Sequence, residues 1–214
     1  MTPKFRSAGR VLRRSWFPVV VVTSITLFTL GVAAGTAADA SPTVTAPTLG
    51  AAAPFAVLAH TTVTNSGASV VSGDLGVYPT EAVTGFVTST TKGTGKVVNG
   101  QQYRGTTTFA KPAQADLSVA YTEAKAAPAT TTKTVTGKNL SGMKLAAGVY
   151  TSTSGLALTG VLTLTGSASS VFIFQAGSTL ITGTNSSIVL EGGVQACNIF
   201  WQVGSSATLK TGSK

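Results

Sequence analysis

Beyond residue 40 the chain carries five carboxylates (Asp74, Glu81, Asp116, Glu123 and Glu191), one imidazole (His60) and one thiol (Cys197). These are the groups that could do acid–base, nucleophilic or metal chemistry. Glycoside hydrolysis needs two facing carboxylates, and no two of these five fall at a spacing that a strand or helix turns into a pair. His60 has no fixed partner in the sequence and reads as a hydrogen-bonded or exposed side chain. A lone cysteine closes no intrachain disulfide and builds no Cys-based metal site. Lying in the apolar stretch 194–203, Cys197 is expected to be a buried, unpaired small hydrophobe. There is no G-x-S-x-G, H-E-x-x-H or P-loop. The sequence therefore predicts no catalytic residue, no metal site and no cofactor.

The elements that would have to position such groups explain what the chain offers instead. Residues 1–40 read as an export signal: Lys4, Arg6, Arg10, Arg13 and Arg14 precede an apolar run from Trp16 to Ala34, and Ala38-Asp39-Ala40 supplies a cleavage site. The apolar run is also long enough to anchor the chain uncleaved, the one route to a membrane. Arg13-Arg14 faintly resembles a twin-arginine signal. Past residue 40, ten Lys+Arg against five Asp+Glu leave a net charge of +5. The ten are scattered, with no dense basic stripe of the kind nucleic acid requires. Residues 41–53, rich in Pro, Thr and Ala, read as a linker, and residues 54–214 as one domain.

Within that domain "FAVLAHTTVTNSG" (55–67) reads as a strand ending in a turn, with Thr62 and Thr64 flanking an inward Val63. Residues 68–108 are loop-rich with brief strands. One helix is predicted in "KPAQADLSVAYTEAKAAP": Pro112 suits a first turn, Pro128 lies just past the end, and Ala113, Leu117, Ala120, Tyr121 and Ala124 form one apolar stripe. Asp116 and Glu123 lie off that stripe. After residue 133, strands alternate with Gly corners and repeat. Gln175-Ala176-Gly177-Ser178 matches Gln202-Val203-Gly204-Ser205 at a spacing of 27; Thr179–Gly183 matches Thr208–Gly212 at 29. Such a repeat marks a β-solenoid. Period two then turns Leu162, Leu164, Leu180 and Leu209 inward and Thr163, Thr165, Thr179, Ile181 and Thr208 outward. β-Branched threonines recurring at the coil spacing form a rigid lattice of hydroxyls and methyls, suited to an ordered, repetitive ligand. Threonine is also simply a favoured exposed residue of any β-surface.

"FAVLAHTTVTNSGASVVSGDLGVYP", "QADLSVAY", "LAAGVYTSTSGLALTGVLTL", "SSVFIFQAGSTL" and "QACNIFWQVGSSATL" occur in order between Leu49 and Thr211. Together they resemble the microbial ice-binding protein family. The resemblance implies a mainly β fold: a discontinuous, right-handed, triangular parallel β-solenoid with one α-helix packed alongside and an irregular insertion after the first coil. It also implies a secreted, extracellular protein, a monomer without metal or cofactor, whose partner is an ice crystal surface. The candidate ice-contact residues are Thr62, Thr64, Thr163, Thr179 and Thr208. Family members continue for roughly two coils past the "SSATL" block, so a chain stopping at "KTGSK" is expected to be a fragment or a shortened, C-terminally truncated solenoid. Lys210 beside Thr208 interrupts any uniform row, since an ammonium is strongly hydrated. An adhesion or matrix module of the same fold is the alternative reading. A carbohydrate-active enzyme is a third, opposed by the missing carboxylate pair.

Overall fold

The computed structural model describes residues 44–87, 93–129, 134–135 and 137–214. The predicted export signal lies outside them. Seven short strands come first: β1 (Phe55–Ala59), β2 (Thr62–Thr64), β3 (Val70–Ser72), β4 (Asp74–Val77), β5 (Ala82–Thr84), β6 (Lys96–Val98) and β7 (Gln102–Arg104). All pair in parallel, as β1-β4-β7, β2-β5 and β3-β6. The strand expected over 55–67 is in fact two strands in two sheets. The break falls at His60-Thr61, where the chain turns a corner and the Thr80 hydroxyl donates to the Thr61 carbonyl. Leu75, Val77, Val83 and Phe86 form a small core inside this stack.

The predicted helix is α1 (Ala110–Ala126), with Pro112 in its first turn. Ala110, Ala113, Ala120 and Ala124 are its buried residues. Small side chains there let the helix lie close against the strands beneath it. The described part of the segment expected as a linker runs along the same helix. Thr48 N–H donates to Glu123 Oε2 and Ala51 N–H to Asp116 Oδ2, each at 2.7 Å. Val44 and Ala46 pack with Ala124, Val149, Val171 and Ile173.

Nine further strands complete the chain: β8 (Lys144–Ala146), β9 (Gly148–Ser152), β10 (Leu156–Leu158), β11 (Val161–Thr165), β12 (Phe172–Ala176), β13 (Leu180–Thr182), β14 (Ser187–Glu191), β15 (Ile199–Val203) and β16 (Ala207–Thr208). They wind into three parallel sheets, β9-β12-β15, β10-β13-β16 and β8-β11-β14. This is a parallel β-solenoid with three faces. Inside it Leu140, Leu156, Leu162, Leu164, Phe172 and Phe174 are fully buried, each side chain contributing roughly 1.5–3 kcal/mol of burial. Tyr150, Phe174 and Trp201 stack along the axis, with ring centroids 5.3 and 4.1 Å apart.

The 27-residue register governs both β12–β15 (Gln175 opposite Gln202) and β13–β16 (Ile181 opposite Thr208). The 29-residue match pairs no strands. Thr208 therefore neighbours Ile181 and not Thr179. Leu209 is 69% exposed rather than internal. It lines an apolar hollow of about 390 Å³ at the end of the stack, with Leu180, Ile188, Trp201 and Val203. Among the described residues no strand of β1–β7 pairs with a strand of β8–β16. The helix touches both sets, through β1 on one side and β12 and β15 on the other.

Candidate functional site

The first face, β9-β12-β15, is covered. Its outward residues Val149, Ile173 and Phe200 pack under the helix and the 44–46 segment. Gln175 Nε2 donates to the carbonyls of Ala124, Lys125 and Ala127, capping the helix C-terminus at 2.8–3.2 Å. Gln202 Nε2 donates to the Tyr121 hydroxyl, which donates to the Val203 carbonyl. Burial on both sides explains the unbroken apolar runs at 171–174 and 199–201. By contrast the "VLTLT" of β11 alternates, as a half-exposed strand should.

The second face, β10-β13-β16, is open. Leu156, Leu158 and Leu180 point inward and are buried, so the residues between them face out. Ala157, Ile181 and Thr208 stand in register across the three strands. Asn139 extends the row by bridging to Ala157. Ile181 is 45% exposed. Beside this row, a glycine on one coil faces a threonine on the next at two places. A Cβ on Gly155 would lie 2.7 Å from Thr179 Oγ1, and one on Gly183 would lie 2.8 Å from the Thr159 backbone. Each threonine thus lies in the space its neighbour's missing side chain leaves, which keeps the sheet low and even. Asn139 fixes the corner, accepting from Thr159 N–H and Ser141 N–H and donating to Thr159 Oγ1.

In the first stack, β2 follows the helix-facing strand as β10 follows β9, so β2-β5 is the counterpart of the second face. Thr62 and Thr64 are exposed on either side of Val63. Thr64 and Thr84 are in register, with hydroxyls 3.4 Å apart.

The third face, β8-β11-β14, carries Thr163 and Thr165 outward on its middle strand. Lys144 Nζ and Glu191 Oε2 meet at 2.7 Å on this face.

The five predicted threonines are therefore not one constellation. Thr62 and Thr64 share one strand. Thr179 and Thr208 share the second face but stand in different rows, and Thr163 lies on the third face beside a charge pair. The sequence reading missed Ala157 as an outward residue of the same row as Ile181. The period-two signal of Leu156 and Leu158 would have found it. Cys197 is exposed, not buried: Ala196–Asn198 forms a 3-10 turn at a corner, so the apolar stretch 194–203 is not continuous strand.

The chemically capable groups have structural employment. Asp74 accepts from Gln101 N–H, Asp116 and Glu123 hold the 48–51 segment, and Glu191 pairs with Lys144. His60 is exposed at its corner. No cluster of three metal-ligating side chains exists among the described residues. Burial pushes the Tyr150 phenol up to about 12; its hydroxyl donates to the Ala146 carbonyl at 2.6 Å.

Known proteins place this geometry. An ice-binding protein from Nostoc sp. (strain HG1) is 44% identical over 168 residues, 78% of this chain, and the chain spans 58% of that relative's length. One from the fungus Flammulina populicola is 34% identical, with 75% of this chain and 70% of the relative covered. The crystal structure of an ice-binding protein from the Antarctic ascomycete Antarctomyces psychrotrophicus superposes with a TM-score of 0.71 at 40% identity, covering 79% of each chain. An ice-binding protein from an Antarctic biological consortium superposes with a TM-score of 0.71 at 36% identity, covering 80% of this chain and 75% of that one. The family described as Ice-binding-like matches residues 57–214. By that match and these relatives, the chain belongs to the ice-binding-like family.

Proposed function

We propose that this protein adsorbs to ice through its second face, without metal, cofactor or catalysis. The observation that carries the reading is the in-register row Ala157–Ile181–Thr208 on an open sheet whose interior bears no charge. Named ice-binding relatives covering about three quarters of the chain support it. Short, stiff side chains at the coil spacing of about 4.7–4.9 Å offer methyls and hydroxyls at fixed heights. Such a surface can hold a sheet of water in lattice positions, where long mobile side chains cannot. Lys210 stands beyond β16, at the corner rather than within the row. Thr62 and Thr64 extend the contact on the first stack. The chain acts as an exported, extracellular monomer, with residues 1–40 as the signal and residues 54–214, together with the helix-docked segment from residue 44, as the ice-contact domain.

The test is the fraction of protein taken into slowly growing polycrystalline ice, alongside inhibition of ice recrystallisation. Ile181→Lys and Thr208→Lys are expected to lower both at least about tenfold, while exposed sites like these shift stability by only about 0.5 kcal/mol. Lys111→Glu at the helix start is expected to leave adsorption unchanged. Glu123→Lys is a poor control, because Glu123 holds the Thr48 amide. A folded wild type that neither enters ice nor slows recrystallisation refutes the function. Loss of adsorption in the helix variant alone refutes the face.

A further inference from the structure

Lys144 and Glu191 occupy β8 and β14, the outer strands of the third sheet, with β11 between them. Strands two places apart lie about 9.5 Å from each other, yet Nζ and Oε2 meet at 2.7 Å. The two side chains therefore arch over the middle strand. Register fixes where they cross: Lys144 is level with Thr163, and Glu191 with Thr165. Both side chains are well exposed, at 65% and 46%, and an exposed pair contributes only about 0–1 kcal/mol to stability. Its larger effect is on the surface. Without it the third face would present Val161, Thr163, Thr165, Ser187 and Val189, the same mixture of aliphatic and hydroxyl groups as the second.

We infer that the Lys144–Glu191 pair keeps the third face off ice and so confines adsorption to the second face. The inference rests on the ice-adsorption reading above. An ammonium and a carboxylate each organise their own hydration shell, and an ammonium is more strongly hydrated than a guanidinium. Placed over the two threonines of β11, they hold water in positions set by ionic hydration and stand above the level of the threonine methyls. Either effect prevents a lattice plane from closing on the sheet. Lys144 and Glu191 are specificity-determining residues, acting by exclusion.

The experiment uses the Ile181→Lys protein, whose second face is blocked, as the parent. Adding Lys144→Thr with Glu191→Thr is expected to raise the ice-incorporated fraction about tenfold over that parent, equivalent to about 1.4 kcal/mol. Lys144→Ala with Glu191→Ala serves as a second version should threonine disturb folding. The reversed pair, Lys144→Glu with Glu191→Lys, keeps the charges and is expected to stay at the parent's level. Thermal melts establish that each variant is folded. Folded threonine and alanine variants that both remain at the parent's level overturn the inference. So does a reversed pair that adsorbs as well as the neutral ones, since charge would then be irrelevant. Failure of the underlying reading shows separately: the wild type does not enter ice, or Ile181→Lys enters it undiminished before positions 144 and 191 are altered.

Discussion

Tyr150 sets up a stability crossover at alkaline pH that can be worked through from the structure. Its ring is 3% exposed, stacked on Phe174, and its hydroxyl donates to the Ala146 carbonyl at 2.6 Å. Desolvation raises the phenol from 10.0 to about 12. The neutral form is thus favoured in the folded protein relative to the unfolded chain. A raised folded value means the associated stability is fully present below pH 10 and is lost as pH climbs through 12. Each unit of separation is worth about 1.4 kcal/mol, so wild type loses about 1.4 kcal/mol by pH 11 and about 2.3 kcal/mol by pH 12 through this group. Tyr150→Phe removes the titration and the hydrogen bond together. Near pH 8 the variant should be less stable by about 1 kcal/mol, the net worth of one such bond. Between pH 10 and 11 the two proteins should become equally stable, and above that the variant should win. Urea unfolding of both proteins at pH 8, 10, 11 and 12 reads this directly, because the lysines titrate alike in each. Parallel stability curves across that range refute the reasoning.

Other outcomes follow from side chains with defined partners. Exposed at its corner turn, Cys197 should react with a thiol reagent in the native protein as fast as in the unfolded one, and Cys197→Ser should alter stability by no more than about 0.5 kcal/mol. Gln175→Ala strips the cap from the carbonyls of Ala124, Lys125 and Ala127. It should cost about 1–3 kcal/mol in urea unfolding and speed amide exchange in the last turn of α1 before anywhere else.

What the sequence made legible were the properties that short-range rules decide. Leu162 and Leu164 inside with Thr163 and Thr165 outside follow from period two within one strand, and the structure keeps them so. The helix followed from Pro112, Pro128 and the stripe of Ala113, Leu117, Ala120, Tyr121 and Ala124. The three alanines of that stripe are buried, while Tyr121 is 40% exposed and hydrogen-bonds the neighbouring strand instead. Properties decided between coils were not legible. Two sub-repeats offered offsets of 27 and 29, and only the pairing of whole strands selects 27, which moves Thr208 from Thr179 to Ile181. Nothing in "FAVLAHTTVT" announces a corner at His60-Thr61, because no glycine or proline stands there. An apolar neighbourhood in sequence does not mark continuous strand, and Cys197 sits exposed on a corner turn within one. The distribution of five threonines over separate sheets depends on where each corner falls, so it needed the fold. The helix-covered face, by contrast, had left a usable trace in the unbroken apolar runs at 171–174 and 199–201.

The absence of pairing between the strands before the helix and those after it has a thermodynamic meaning. A solenoid ordinarily melts as a chain of nearest neighbours, each coil templating the next. Here that chain is interrupted, and the two sets of strands keep separate cores, one around Leu75 and Phe86 and one around Leu162 and Phe174. Among the described residues α1, with the segment clipped to it by Asp116 and Glu123, touches both sets and can carry cooperativity between them. The two stacks are therefore expected to open with separate free energies, coupled through the helix that touches both. Damage in one stack leaves the protection of the other intact, while loosening the helix uncouples both.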